Sequence, residues 1–389
     1  MPRPIYMDCF ATTPVSARVR AAMEPYSGGV FANPHALQHG PGQEAAAAVR
    51  KAREQVAQAM GASPDEIIFT SGATESNNMV LRGAAKPGAK AGKRRILISA
   101  IEHPSVREPA FALRGDGFIV EEIPVVSQGF VKAATLGVML GCGDDVALVS
   151  VMAANNETGV GQDVLEMAEL CRGKGVPFHT DAVQALGKLP FDLHLVPASY
   201  ASFSAHKLYG PKGVGALFMR KSASRLAPLL LGGGQEGGMR AGTVAVSLVA
   251  GFGEACAEAM EMRDSEAVRL NALRDEVLQA LMESFPGMRL HGCLCDRVPG
   301  SLNIGFPGVP AGLLMEMLPE FALSAGSACH SGSDVPSHVL VALGLSPEEA
   351  GEALRISPGR MTTEGDMGKL VFALTDAVRQ VKGMKRVSP

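Results

Sequence analysis

Short apolar runs rich in β-branched residues recur through the first part of the chain, and each gives way to a small or polar turn and then a helical pattern. Glu66-Ile67-Ile68-Phe69-Thr70, Arg95-Ile96-Leu97-Ile98-Ser99 and Val146-Ala147-Leu148-Val149-Ser150-Val151-Met152 are such runs. Strands alternating with helices predict an α/β fold, a mostly parallel sheet with helices on both faces. Open sheets of this kind collect their ligands beyond the carboxyl ends of the strands, so the residues after each run carry the functional information. At 389 residues the chain is long enough for more than one core. A large α/β domain over residues 15–260 is expected, with a smaller α+β domain built from 1–14 and 261–389. The helical pattern from Val244 to Phe285 would carry the chain between them.

The segment Ser202-Phe203-Ser204-Ala205-His206-Lys207-Leu208-Tyr209-Gly210 places a lysine between small hydroxyl residues and a glycine-rich turn. A lysine of lowered pKa forms a Schiff base with an aldehyde, and small neighbours leave room for a planar, phosphorylated cofactor. Upstream, Phe178-His179-Thr180-Asp181 ends in a carboxylate where a buried strand should finish. Pyridoxal chemistry needs such a group to keep the pyridine nitrogen protonated; a helix N-cap is the other reading of Asp181. The 26 positions from Asp181 to Lys207 suit two strands and one connection. Ser71-Gly72-Ala73-Thr74 joins a strand to a helix beginning near Glu75, and a helix N-terminus after a small-residue turn offers amide donors to phosphate, here at Ala73 and Thr74. His103 follows the second run, Arg95 to Ser99, at the same predicted edge.

Six stretches, in order, resemble the NifS/IscS-type cysteine desulfurases of the fold-type I, class V aminotransferase group of pyridoxal phosphate enzymes. They are Asp8-Cys9-Phe10-Ala11-Thr12-Thr13-Pro14, Phe69-Thr70-Ser71-Gly72-Ala73-Thr74-Glu75-Ser76-Asn77-Asn78, Glu102-His103-Pro104, Asn155-Asn156-Glu157-Thr158-Gly159, the Asp181 to Lys207 pair, and Gly326-Ser327-Ala328-Cys329. The resemblance implies a pyridoxal 5'-phosphate site in which Lys207 holds the aldehyde, His103 stacks on the ring and moves protons, and Gln184 bonds the phenolic oxygen. Ser204 and His206 would join Ala73 and Thr74 on the phosphate, while Asn155 would contact cofactor and substrate carboxylate. It further implies a homodimer, in which Thr243 of the glycine-rich stretch Leu229 to Thr243 reaches the neighbouring subunit's phosphate. A second loop, Asn33-Pro34 to Gly42, is similar to a family loop but carries Ala36 in place of its serine.

Cys329 lies among small residues flanked by glycines, a setting for an exposed, reactive thiol rather than a packed one. The resemblance makes it the sulfur-accepting nucleophile. Arg355 interrupts the apolar run Ala353-Leu354-Arg355-Ile356, and its planar fork matches a carboxylate, either of the substrate or of a cross-strand partner. The family match favours the substrate. Cys293-Leu294-Cys295 beside His291 lacks the second ligand pair of a zinc site, so thiols rather than a metal are expected there and at Cys142, Cys171 and Cys256.

With 36 basic and 39 acidic side chains and no basic run, no nucleic-acid surface is indicated and a small, soluble substrate is expected. The start of the chain lacks a signal-peptide pattern and no run is long enough to span a membrane, so a cytoplasmic protein is expected. The reading is a cysteine desulfurase that makes L-alanine from L-cysteine and passes sulfur to an iron–sulfur scaffold or another acceptor. A selenocysteine lyase or a class V aminotransferase would share nearly every cofactor contact, and a thiol-bearing carrier without cofactor is the non-enzymatic alternative.

Overall fold

The computed structural model describes residues 3–326 and 335–384, so Cys329 lies outside the described residues. Twelve strands are present among them: β1 (Ile5–Tyr6), β2 (Ile67–Thr70), β3 (Arg95–Ser99), β4 (Ile119–Ile123), β5 (Val146–Ser150), β6 (Phe178–Asp181), β7 (Tyr200–Ser204), β8 (Gly215–Met219), β9 (Arg289–Leu290), β10 (Leu302–Gly305), β11 (Phe321–Ala322) and β12 (Ala353–Ile356). Seven of them form one sheet in the order β2-β8-β7-β6-β5-β3-β4. The pairs from β7 to β4 are parallel, while β8 is antiparallel to both β2 and β7. Two reversals restore direction, so β2 runs with β3, β5, β6 and β7.

The apolar runs are near-continuous because both faces of this sheet are covered. Alternate residues of a strand point to opposite faces. Accordingly Ile67, Phe69, Leu97, Val149, Phe203 and Phe218 enter one core, with Val56 and Met60 of the Gly40–Met60 helix. Ile68, Ile96, Ile98, Leu148 and Leu217 enter the other, with Met79, Val80 and Leu81 of the Ala73–Lys90 helix.

A separate core lies under the antiparallel sheet β12-β10-β9, where Leu302, Ile304, Leu354 and Ile356 pack on Leu370, Leu374 and Val378 of the Glu364–Met384 helix. The helix Val246–Ser284 serves both units. Phe252, Ala255 and Ala259 pack in the large unit's core, while Leu273, Val277 and Leu281 pack in the other. The N-terminal arm is shared in the same way: Met7 belongs to the smaller core and Phe10 to the larger. Shortly after β11, Ser324 forms an isolated bridge to Arg355, and the glycine-rich stretch holds a turn at Gln235–Gly238. Among the described residues no helix is long and apolar enough to cross a membrane.

Candidate active site

The strands that share a direction end on one edge of the large sheet, and a cavity of about 520 Å³ opens there. Beyond β2, Gly72 leads into the Ala73–Lys90 helix with no side-chain cap hydrogen bond among the described residues, and Ala73 and Thr74 line the cavity. The turn is tight because β8 begins against it. A Cβ at Gly215 would stand 2.7 Å from the Cα of Gly72 and 2.4 Å from the Phe203 carbonyl oxygen, which only glycine avoids.

Glu75, one turn into the helix, accepts from the Ser71 amide at 2.7 Å and from Arg240 Nε at 2.8 Å. The glycine-rich stretch is therefore fastened to this cradle through Arg240. A second tie comes from Glu236, whose carboxylate takes both Arg53 and the Phe69 amide.

Beyond β3, His103 caps the Pro104–Ala112 helix, its Nδ1 accepting from the Ser105 amide at 3.1 Å. Beyond β6, Asp181 is 5% exposed and lines the cavity. Asn77 donates to its Oδ2 at 2.8 Å and the Val183 amide to its Oδ1 at 3.1 Å. These donors fix the direction of the carboxylate.

Beyond β7, the short helical turn Ala205–Lys207 brings Lys207 to the cavity wall, where Nζ donates to the carbonyl oxygens of Phe10 and, at 2.7 Å, Ala11. The N-terminal arm thus closes over the lysine. Ser204 and His206 line the same cavity. Burial and the charges of Lys207, Lys212 and Lys188 push His206 down to about 4, so at neutral pH it is uncharged. Its Nδ1 lies 3.1 Å from the Thr12 hydroxyl.

From the smaller unit, β12 delivers Arg355 from the middle of the strand. The side chain is 1% exposed, bonding Asp8 at 2.6 Å and the Asn156 carbonyl oxygen at 2.8 Å. Its Nε and the Oδ1 of Asn156 are buried without a hydrogen-bond partner among the described residues, and both residues line the cavity.

Ala73, Thr74, His103, Asp181, Gln184, Ser204, His206, Lys207 and Arg355 are therefore brought together. Two expected residues are not. Asn155 is fully buried and turned inward, its Nδ2 donating to the Ile101 carbonyl and its Oδ1 accepting from the Glu157 and Thr158 amides. It pins the loop, and Asn156 is the asparagine at the cavity; the doubled Asn-Asn in the sequence concealed which one faces it. Thr243 is exposed and does not line the cavity of its own chain.

Gln184 lines the cavity with both ends of its amide already engaged, Nε2 donating to the Phe10 carbonyl at 3.0 Å and Oε1 accepting from Lys188 at 2.7 Å. Cys293 and Cys295 are joined by a disulfide, against the thiols expected from sequence, and Cys142 is exposed where a packed thiol was expected. Asn77, Ser105 and Asp8 escaped the sequence reading as site residues, although Asn77 and Asp8 lie inside the stretches that carry the resemblance.

The donor set fits pyridoxal 5'-phosphate. A lysine amine, a fixed carboxylate within the same cavity and an uncapped helix N-terminus are the three contacts the aldehyde, the ring nitrogen and the phosphate require.

Comparison with known proteins agrees with this arrangement. The family model described as aminotransferase class-V matches residues 5–370. A mitochondrial cysteine desulfurase of Arthroderma benhamiae is 44% identical over 97% of this chain and 75% of its own length. A cysteine desulfurase IscS of an Anaeromyxobacter strain is 43% identical over 98% of this chain and 94% of its own. Among solved structures, a NifS-like protein superposes with a TM-score of 0.89 at 36% identity, covering 97% of this chain and all of that one.

Proposed function

The chain belongs to the class-V aminotransferase family, and on that premise we propose that it is a pyridoxal-phosphate-dependent cysteine desulfurase. It converts L-cysteine to L-alanine and leaves the sulfur on Cys329 as a persulfide. The observation that carries the reading is the meeting of Lys207, Asp181 and the Ala73–Thr74 amides in one cavity that also holds Arg355. When bound, the cofactor supplies a sink for the electron pair released at the substrate Cα.

Lys207 would hold its aldehyde, Asp181 its protonated ring nitrogen, and the amides of Ala73 and Thr74 with Ser204 its phosphate. His206, neutral at physiological pH, serves there as a hydrogen-bonding group rather than a charge. His103 would lie on the ring, held in one orientation by the Ser105 amide. The substrate carboxylate is assigned to Arg355, through its unpartnered Nε, and to Asn156. Lys207, once released, would take the Cα proton. The Cys329 thiolate would then attack the substrate sulfur. An S–S bond forms, the C–S bond breaks, and its electron pair stays with the carbon skeleton, which takes up a proton at Cβ, regains one at Cα from Lys207 and departs as alanine.

A homodimer is proposed, with Thr243 serving the neighbouring site; its exposure and its absence from its own cavity support that role. The persulfide sulfur would pass to an iron–sulfur scaffold or another acceptor, in the cytoplasm. The cofactor anchor is tested by loading the protein with pyridoxal phosphate, reducing with borohydride and mapping peptides by mass. A phosphopyridoxyl adduct on the Lys207 peptide is expected; an adduct confined to other lysines would refute the assignment.

A further inference from the structure

Lys207 lines two cavities. The second, about 50 Å³, lies behind the first and is bordered by Cys9, Lys188, Tyr209 and Glu266. Lys188 borders only this smaller one. The chain returns it to the site through Gly187, whose φ of +68° is a left-handed conformation, and a Cβ there would stand 2.7 Å from that of Ala259. The ammonium lies 5.4 Å from the centre of the Phe10 ring and donates to Gln184 Oε1 at 2.7 Å. An ammonium donates and never accepts, so this bond dictates which end of the Gln184 amide faces it. The oxygen is turned to Lys188. Nε2 spends one hydrogen on the Phe10 carbonyl and has a second to offer.

We propose that Lys188 is a positioning residue of the reaction: it orients Gln184 so that an N–H donor is presented in the cofactor cavity, and sets a second positive charge beside Lys207. The inference rests on the pyridoxal phosphate reading and deepens it. An N–H donor stabilises an anionic oxygen on a bound ring, whereas a flipped amide would set its carbonyl oxygen against that anion. A neighbouring ammonium makes protonation at Lys207 costlier. Both effects act in the same direction, disfavouring the protonated state of the group that Lys207 holds.

The charged and titratable groups facing Lys188 are Lys207 and His206 from the turn after β7, Cys9 from the arm and Glu266 from the long helix, with Tyr209 and Arg263 around the same small cavity. Desolvation and then the Lys207 charge bring Lys188 itself down to about 7, with Cys9 and Glu266 acting the other way.

The test is a pH titration of the visible absorption of the cofactor-loaded protein. Lys188→Met is expected to raise the midpoint by about one unit, while Lys188→Arg, which keeps donor and charge, stays near the parent value. In a Gln184→Leu background the Lys188→Met shift should shrink to the part due to charge. If Lys188→Met does not fold, Lys188→Gln replaces it, since it keeps a donor and loses the charge; a smaller upward shift is then expected. An unchanged midpoint in the neutral variants, with lowered thermal stability alone, would make Lys188 merely structural and overturn the proposal. A parent protein that gains no absorption on loading would overturn the cofactor reading itself.

Discussion

The two sheets contribute to the site in different ways. The seven-stranded sheet contributes from beyond its strand ends: Ala73 and Thr74 after β2, His103 after β3, Asn156 after β5, Asp181 at the close of β6 and Lys207 after β7. The three-stranded sheet contributes from mid-strand, through Arg355, which is held by Asp8 and the Asn156 carbonyl. Parallel strands all finish at one edge, so their turns can carry chemistry with little cost to the core beneath. An antiparallel strand offers no common edge. Its functional side chain must be buried in place, and it needs a counter-charge of its own.

The comparison predicts graded effects. Lys207→Ala should abolish the borohydride adduct and lower turnover by about a thousandfold or more, because anchor and proton carrier are lost together. Its thermal stability should change little, as befits a residue in a turn. Arg355→Ala should combine a raised KM for cysteine with a clear loss of stability, of order 3 kcal/mol, since it strands the partly buried Asp8 carboxylate. Denaturant unfolding of Arg355→Ala and Asp8→Asn/Arg355→Ala would separate the two effects. The double variant should recover part of the stability and none of the KM. Equal, negligible stability losses for Lys207→Ala and Arg355→Ala would break the contrast between the sheets.

The neighbouring asparagines test the same contrast within one loop. Asn155→Ala removes the acceptor of two amides and should cost about 2 kcal/mol. Asn156→Ala should cost under about 0.5 kcal/mol while raising KM. Reversal of that order would restore Asn155 as the site residue.

The smallest expected effect is at Glu102, fully buried between the ends of β3 and β5, where Ser99 and the Met152 amide donate to one carboxyl oxygen and the other has no partner among the described residues. Desolvation leads the causes that push its pKa up to about 8. Between the unfolded value near 4.5 and about 8 the folded state binds the extra proton, so the group's contribution to stability falls as pH rises through that window. Glu102→Gln should therefore gain on the parent in melting temperature from pH 5 to pH 8, by roughly a few degrees at most. His179 and His206, held down to about 3 and 4, act with the opposite sign below pH 6.5, where the unfolded chain takes up their protons.

Most of the large unit was legible because burial on both faces leaves its strands as unbroken apolar runs, and because turn residues such as Asp181 and Lys207 have no packing reason to be what they are. Arg355 was legible for the converse reason, as a charge where an apolar strand should continue. What escaped was relational. Asn77 bears on the site through the Asp181 carboxylate it faces, Lys188 through Gln184 and Lys207, and Asp8 through Arg355. Spacing along the chain does not encode those meetings. Asn155 and Asn156 differ by which way one loop residue turns, and that is decided by the Ile101 carbonyl and by the Glu157 and Thr158 amides.

The central claim is that sulfur leaves L-cysteine for Cys329. Cofactor-loaded protein incubated with L-cysteine and no added reductant should yield alanine and, by peptide mass, a persulfide on the Cys329 peptide in near-equal amounts. Alanine formed at the normal rate by a Cys329→Ala variant, with the persulfide found on another cysteine, would contradict the account.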